Sequence, residues 1–191
     1  MAPSDEDLMA RVREGDDLAF RELFERHAGA IVRYCAGFLG NAARAEEVAQ
    51  EVFLRVHRAR GRWEPRARFT TWLYTIAQNL CRNEARRPER HLMVEAVGPD
   101  GEGGSREFAD PVASTGDEHA AASELEHRLR GLLAGLPPAQ RAALLLSRAE
   151  GLRYEVIGEV LGVSEEAVKS LIFRATRSLR AGLKDLMGTG Q

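Results

Sequence analysis

The chain has 191 residues, of which 44% are hydrophobic and 29% are charged, so it can bury two small cores and keep a well-solvated surface. No run approaches the roughly 18 consecutive apolar residues of a membrane span, and segment 1–7 is acidic rather than a basic leader. We therefore expect neither membrane insertion nor secretion. The two cysteines, Cys35 and Cys81, lie in segments with helical apolar spacing, which predicts buried, reduced thiols and a cytoplasmic protein.

The formal net charge of −2 conceals an uneven distribution of charge along the chain. Residues 1–87 contain 15 arginines and 13 acidic residues, residues 88–124 contain two arginines and nine acidic residues, and residues 125–191 contain ten basic and seven acidic residues. The acidic middle shows no sustained periodicity and includes the run Gly-Pro-Asp-Gly-Glu-Gly-Gly-Ser. This composition predicts a flexible linker, 88–124, between an N-terminal domain, 1–87, and a C-terminal domain, 125–191.

Four helices are predicted in the N-terminal domain. Ser4 and Asp7 have capping-box spacing before a short first helix, which Gly15 ends. A second helix runs from Asp17 to about 37–40, and the third and fourth follow, separated by a basic loop, 62–68. Apolar residues recur at helical spacing. The predicted core positions are Leu8, Met9, Val12, Phe20, Leu23, Phe24, Ala28, Ile31, Val32, Cys35, Ala45, Val48, Ala49, Val52, Phe53, Val56, Phe69, Trp72, Leu73, Ile76, Ala77 and Leu80.

The C-terminal domain has the length pattern of a helix-turn-helix. Helices are predicted over 125–136 and 140–149, before a break at Gly151. A short helix over 154–161 then leads through a turn at Gly162 to Ser164, which caps a longer helix ending near Leu186. Because no segment alternates like a strand, we predict an all-α fold of two small helical domains joined by the acidic linker.

The last helix has residue types suited to a DNA major groove. Five apolar residues are spaced to pack inward, namely Val168, Leu171, Ile172, Ala175 and Leu179. The residues left for DNA are Lys169, Ser170, Phe173, Arg174 and Arg177. Lys169 and Arg174 are the preferred contacts. The alternative is an ordinary helical hairpin with a solvated basic face.

The basic loop and the fourth helix interleave aromatic residues with arginines, a combination that suits stacking on single-stranded bases and neutralising phosphates. The candidate residues are Trp63, Arg66, Arg68, Thr71, Trp72, Asn79, Arg82, Asn83 and Arg86. The alternative places Trp72 in the core and the arginines on a solvated surface. Asn79 and Asn83 are harder to explain in that way, because asparagine has poor helix propensity.

Three segments in this order resemble the extracytoplasmic-function group of sigma factors of bacterial RNA polymerase. They are AEEVAQEVFLRV at 45–56, FTTWLYTIAQNLCRN at 69–83 and LPPAQR at 136–141. The resemblance covers about 5–87 and 125–185. It implies a protein that binds core RNA polymerase, directs it to promoter DNA and helps melt the −10 region. It also implies an anti-sigma partner and no reaction catalysed by the chain itself.

The resemblance also implies roles for particular residues. Glu47, Gln50, Glu51 and Leu54 are similar to those that grip a coiled coil of the polymerase clamp. The loop 62–68 is similar to one that captures a flipped −10 base, and Asn79 and Asn83 stand where the family reads neighbouring bases. The C-terminal helix would read the −35 element. The linker resembles a segment that passes through the RNA exit path.

The start of the last helix departs from the family pattern, because Leu171 stands where an arginine is common. Two acidic residues precede it. Either Glu165 and Glu166 cap the helix, or Glu166 accepts a hydrogen bond from a cytosine amino group.

Two other functions compete with this interpretation. A stand-alone helix-turn-helix regulator would fit residues 163–169 nearly as well, and an interaction protein without a DNA role is a third class. The five histidines are scattered, and neither metal-ligand pairs nor a phosphate-binding loop is evident. We therefore predict no enzymatic activity, no metal and no cofactor.

Overall fold

The computed structural model describes residues 2–64, 68–86, 127–148 and 151–188. Within these ranges every long element is an α-helix and none is a strand, which confirms the predicted all-α fold. The predicted linker lies outside the described residues, so it stays a prediction.

The N-terminal domain consists of helices α1 to α4 and one 3₁₀ turn. Their bounds are α1 Asp5–Arg13, α2 Asp17–Leu39, α3 Ala42–Arg58, the 3₁₀ turn Arg60–Arg62 and α4 Phe69–Ala85. The first three helices each have a polar N-cap residue whose side chain accepts a backbone hydrogen bond. Ser4 and Asp7 form the predicted capping box, the Asp16 carboxylate accepts from the backbone of Leu18 and Ala19, and Asn41 accepts from Arg44.

The core of this domain forms where α2 packs against α1, α3 and α4. All the predicted core positions of α1 and α3 are buried. Phe24, a predicted core position of α2, is instead 41% exposed, and its ring lies 4.8 Å from that of Phe53 beside a groove between α2 and α3. Helical spacing alone predicted its burial wrongly, because no described helix covers that side of the α2–α3 pair.

Polar residues also enter the core. Gln78, which is not among the predicted core positions of α4, is buried and accepts a hydrogen bond from the Tyr34 hydroxyl. Cys35 and Cys81 are buried free thiols, as predicted, and their sulfur atoms lie 3.5 Å apart. Helices α2 and α4 therefore contact each other through buried polar side chains as well as apolar ones.

The C-terminal domain contains a helix-turn-helix, as predicted. Its elements are α5 at 127–134, α6 Pro138–Arg148, α7 Tyr154–Leu161 and α8 Glu165–Gly188. Gly162 ends α7 in the left-handed conformation, with φ 68°. A Cβ on Gly158 would lie 2.7 Å from the Val163 carbonyl oxygen, so the close crossing requires glycine there. The Ser164 hydroxyl oxygen caps α8 by accepting from the Ala167 N–H at 3.2 Å.

The two domains pack against each other, with α6 on α2 and α7 on α4. Leu146 and Ile157 join the same apolar cluster as the N-terminal core. Arg141 Nη1 donates to the Phe38 carbonyl oxygen at 2.7 Å, and its guanidinium lies 5.5 Å from the Phe38 ring centroid. The sequence led us to expect two separate cores, but short helices such as α6 and α7 bury their apolar surface against the larger domain.

Candidate functional site

Helix α4 presents one exposed polar face. Asn79, Arg82, Asn83 and Arg86 are all exposed, and their spacing of three, one and three residues places them on one side of the helix end. Trp72 lies seven residues before Asn79 on the same side and is partly buried against the core. The face therefore combines amides, guanidinium groups and the edge of an indole.

In the loop before α4, Trp63 lies elsewhere than predicted. Trp63 is only 2% exposed and belongs to the core, because the 3₁₀ turn directs it inward. It cannot stack on a base in this arrangement, so we remove it from the candidate site. Arg68 is exposed at the start of α4, Thr71 is partly buried with its hydroxyl oxygen in the interior, and Arg66 lies outside the described residues.

A second surface lies along α3. Glu47, Gln50 and Leu54 are exposed there and Glu51 is half-buried, and Leu54 exposes 49% of its surface. The Arg55 Nε donates to Glu51 Oε1 at 2.8 Å, which holds the pKa of that carboxyl below its usual value.

An apolar groove between α2 and α3 adjoins this α3 surface. It is lined by Phe24, Val32, Ala49, Gln50 and Phe53. Gln50 belongs to both the groove and the predicted polymerase surface, so an apolar depression with a polar rim continues from one to the other.

A third surface lies on α8. Val168 and Ala175 are buried, whereas Lys169, Ser170, Phe173, Arg174 and Arg177 are exposed. Arg174 Nη2 donates to the Ser170 hydroxyl oxygen at 3.0 Å, which orients the guanidinium along the helix. Sequence reasoning missed Arg180 and Lys184, which line a shallow depression with Phe173 and Arg177. The spacing 173, 177, 180 and 184 is a helical stripe, so that signal was available.

The acidic residues at the start of α8 act locally. Glu165 Oε1 lies 2.7 Å from Lys169 Nζ, and this contact raises the pKa of the Lys169 ammonium. The pKa of Glu166 is lowered by its own backbone N–H and by the Ser164 hydroxyl. Of the two alternatives for these glutamates, these contacts favour capping over base selection.

The chain matches known proteins over both domains. The family model of sigma-70 region 2 matches residues 23–91, and that of sigma-70 region 4 matches residues 126–179. The RNA polymerase sigma factor CarQ of Myxococcus xanthus is 38% identical over 93% of this chain and 97% of its own length. The ECF sigma factor SigW of Bacillus subtilis is 31% identical over 92% of this chain and 95% of SigW. The chain belongs to the ECF sigma factors of bacterial RNA polymerase.

The fold of this sigma factor agrees with that of a solved relative. The structure of CnrH in complex with the cytosolic domain of CnrY superposes with a TM-score of 0.73 at 24% identity, covering 96% of this chain and 99% of CnrH. At that identity the likeness shows the fold alone.

Family membership establishes the general function. The sigma factor binds core RNA polymerase and directs it to promoters, and such factors regulate transcription and are generally not enzymes. The region 2 match disfavours a stand-alone helix-turn-helix regulator. In the ranges that the structure describes, no helix combines the length and apolar character needed to cross a bilayer.

Proposed function

We propose that this sigma factor, once bound to core polymerase, reads and holds open the −10 element with the outer face of α4 and reads the −35 element with α8. The observation that carries the proposal is the alignment of Asn79, Arg82, Asn83 and Arg86 on one exposed face. An asparagine amide both donates and accepts, so it can match the edge of an unpaired base. The arginines supply the positive charge that a separated strand requires.

Melting carries a cost that the protein must offset. Taking one base out of the stack costs a few kcal/mol. Trp72, at the edge of the same face, offers an aromatic surface, and Arg68 lies one turn before it. We therefore assign base capture to the start of α4 and the loop before it, and base reading to the end of α4.

We place the polymerase contact on the surface formed by Glu47, Gln50, Glu51 and Leu54 with the adjoining groove. Exposed apolar side chains beside charged and amide groups are typical of protein interfaces. Leu54 and Phe24 are both among the large apolar residues that this sigma factor exposes.

We further propose that an anti-sigma factor holds this protein inactive by covering the same surface. Two solved structures with a similar fold are complexes with a second protein: CnrH with the cytosolic domain of CnrY, and the sigma factor RpoE with the anti-sigma factor NepR from Bartonella quintana. RpoE covers 86% of this chain at 20% identity with a TM-score of 0.65. We also propose that the protein acts in the cytoplasm, where the polymerase is, and has no activity as an enzyme.

The test is run-off transcription with purified core polymerase on a library of promoters randomised at the −10 and −35 elements. Asn79→Ala should change base preference only at −10, and Arg177→Ala should weaken selection only at −35. Each variant is thus the control for the other. The proposal is wrong if Asn79→Ala leaves −10 preference unchanged, or if the free protein selects the same sequences as tightly as the holoenzyme does.

A further inference from the structure

Helix α4 begins without a side-chain cap of its own. Its N-cap residue is Arg68, whose side chain makes no capping hydrogen bond. The Phe69 backbone N–H instead donates to Glu6 Oε1 at 3.1 Å. Glu6 lies on α1, 63 positions earlier and outside the residues 23–91 that match sigma-70 region 2. A distant helix therefore supplies the missing cap.

The neighbouring residue Asp5 contacts α2 beside the start of α4. Asp5 Oδ2 lies 2.7 Å from His27 Nε2, and Asp5 Oδ1 accepts from Arg26 Nη1 at 3.0 Å. The His27 ring is buried, with its centroid 5.4 Å from that of the Phe69 ring. Two consecutive acidic residues of α1 thus act on Phe69, the first residue of α4. Glu6 binds its backbone N–H, and Asp5 binds His27, whose ring contacts the Phe69 ring.

The first turn of α4 is next to the proposed base-capturing groups. Trp72 stands three residues after Phe69, with the two ring centroids 6.4 Å apart, and Arg68 immediately precedes Phe69. A carboxylate at a helix N-terminus satisfies an N–H group and interacts favourably with the helix dipole. Without it the first turn frays, and groups that bind bases lose the fixed geometry that recognition needs.

We infer that Glu6 is a positioning residue for −10 recognition: its carboxylate fixes the first turn of α4 so that Trp72 and Arg68 are placed for the unpaired strand. This inference rests on the proposed function of α4. It assigns a specificity role to α1, a helix that touches no base itself.

The experiment compares Glu6→Ala and Glu6→Gln with the wild type, each as full chain with core polymerase. Open-complex formation is measured on the promoter selected from the library and on single-base variants of its −10 and −35 elements. Glu6→Ala should form open complexes about five- to tenfold less well and discriminate less among −10 bases, with −35 discrimination unchanged. Glu6→Gln keeps an acceptor oxygen, so it should restore most of the −10 discrimination.

Asp16→Ala is the matched control for stability. It removes the cap of α2, which accepts from Leu18 and Ala19, without touching α4. It should lower the urea midpoint of the free protein about as much as Glu6→Ala does and leave −10 discrimination unchanged. An equal change in −10 discrimination in both variants would overturn the inference, because Glu6 would then act only through overall stability.

Hydrogen exchange at the Phe69 amide gives a second readout. Exchange should accelerate in Glu6→Ala and stay slow in Glu6→Gln. Unchanged exchange in Glu6→Ala would also overturn the inference. A wild-type holoenzyme that does not discriminate among −10 bases would refute the proposed function itself, which is a different result.

Discussion

Gly37 allows a direct test of the contact between the two domains. It lies near the end of α2, where α6 packs. A Cβ built on Gly37 would lie 2.8 Å from Leu145 Cδ2 and 3.3 Å from Leu145 Cδ1. Carbon atoms prefer about 3.5–4.0 Å. An added side chain must therefore displace Leu145 or move α6 away from α2.

The expected magnitude follows from the cost of overpacking, which is typically about 1–3 kcal/mol. Gly37→Leu should weaken docking of the C-terminal domain by about 1.4 kcal/mol, a factor of about ten in the docking constant. Gly37→Ala should weaken it less, because the end of the Leu145 side chain can rotate. Either substitution favours the helix itself, since glycine is worse than alanine by about 1 kcal/mol in a helix. Docking and helix stability should therefore change in opposite directions.

Energy transfer between dyes on the two domains measures this docking. Exposed positions such as Glu25 and Arg148 can carry the dyes. The control is Gly29→Leu in the same helix, where a Cβ would meet only the flexible end of Arg33 at 3.3 Å. Transfer should fall in Gly37→Leu and stay at the wild-type value in the control. Equal transfer in the wild type, Gly37→Leu and Gly29→Leu would refute the prediction that close packing of Gly37 against Leu145 is needed for docking.

Three further predictions concern single side chains. Glu165→Gln releases Lys169 from its ion pair and removes a negative charge at the start of α8, next to the proposed −35 surface. Holoenzyme affinity for −35 DNA should therefore rise about two- to threefold in a salt titration, and an unchanged affinity would contradict this. Hydrogen bonds, first that from the Ala19 N–H, hold the pKa of Asp16 below its ordinary value, so its stabilisation is present above about pH 4 and is lost as pH falls through the folded pKa. In Asp16→Asn, the unfolding free energy measured with urea should therefore fall less steeply with decreasing pH than in the wild type, and an equal fall would count against this. The Cys35 thiol and burial raise the pKa of Cys81. Iodoacetamide at pH 8 should therefore alkylate the native protein far more slowly than the urea-unfolded chain, and similar rates would show that the thiol is accessible.

Local signals predicted most of the fold. The capping box at Ser4, the left-handed Gly162 and the apolar stripe of α3 each depend on residues within one or two turns, and each is found where the sequence places it. The same applies to the exposed face of α4, because helical spacing alone puts Asn79 and Asn83 on the same side.

Long-range contacts account for what the sequence did not reveal. Trp63 was assigned to DNA because it lies among arginines, but it is buried next to the 3₁₀ turn, which packs on α1 and α3. Gln78 is polar and is missing from the predicted core positions, yet the hydroxyl of Tyr34, 44 positions away, donates a hydrogen bond to it in the core. Glu6 is a further case, since its partner Phe69 is 63 positions away. No periodicity in one segment contains this information.

Net charge is a poor guide to DNA binding in this chain, and the structure shows why. Arg26 and Arg44 are neutralised by carboxylates on neighbouring turns or helices, so four of the acidic residues serve internal ion pairs. Within the described ranges, Arg82 and Arg177 form no ion pair and lie on the faces proposed to meet DNA. What a phosphate backbone experiences is the local excess of positive charge on those faces, because exposed charges beyond about 10 Å are screened at moderate salt. A formal charge of −2 is therefore compatible with two DNA-binding surfaces, provided that the acidic residues are paired elsewhere or concentrated in the segment between the domains.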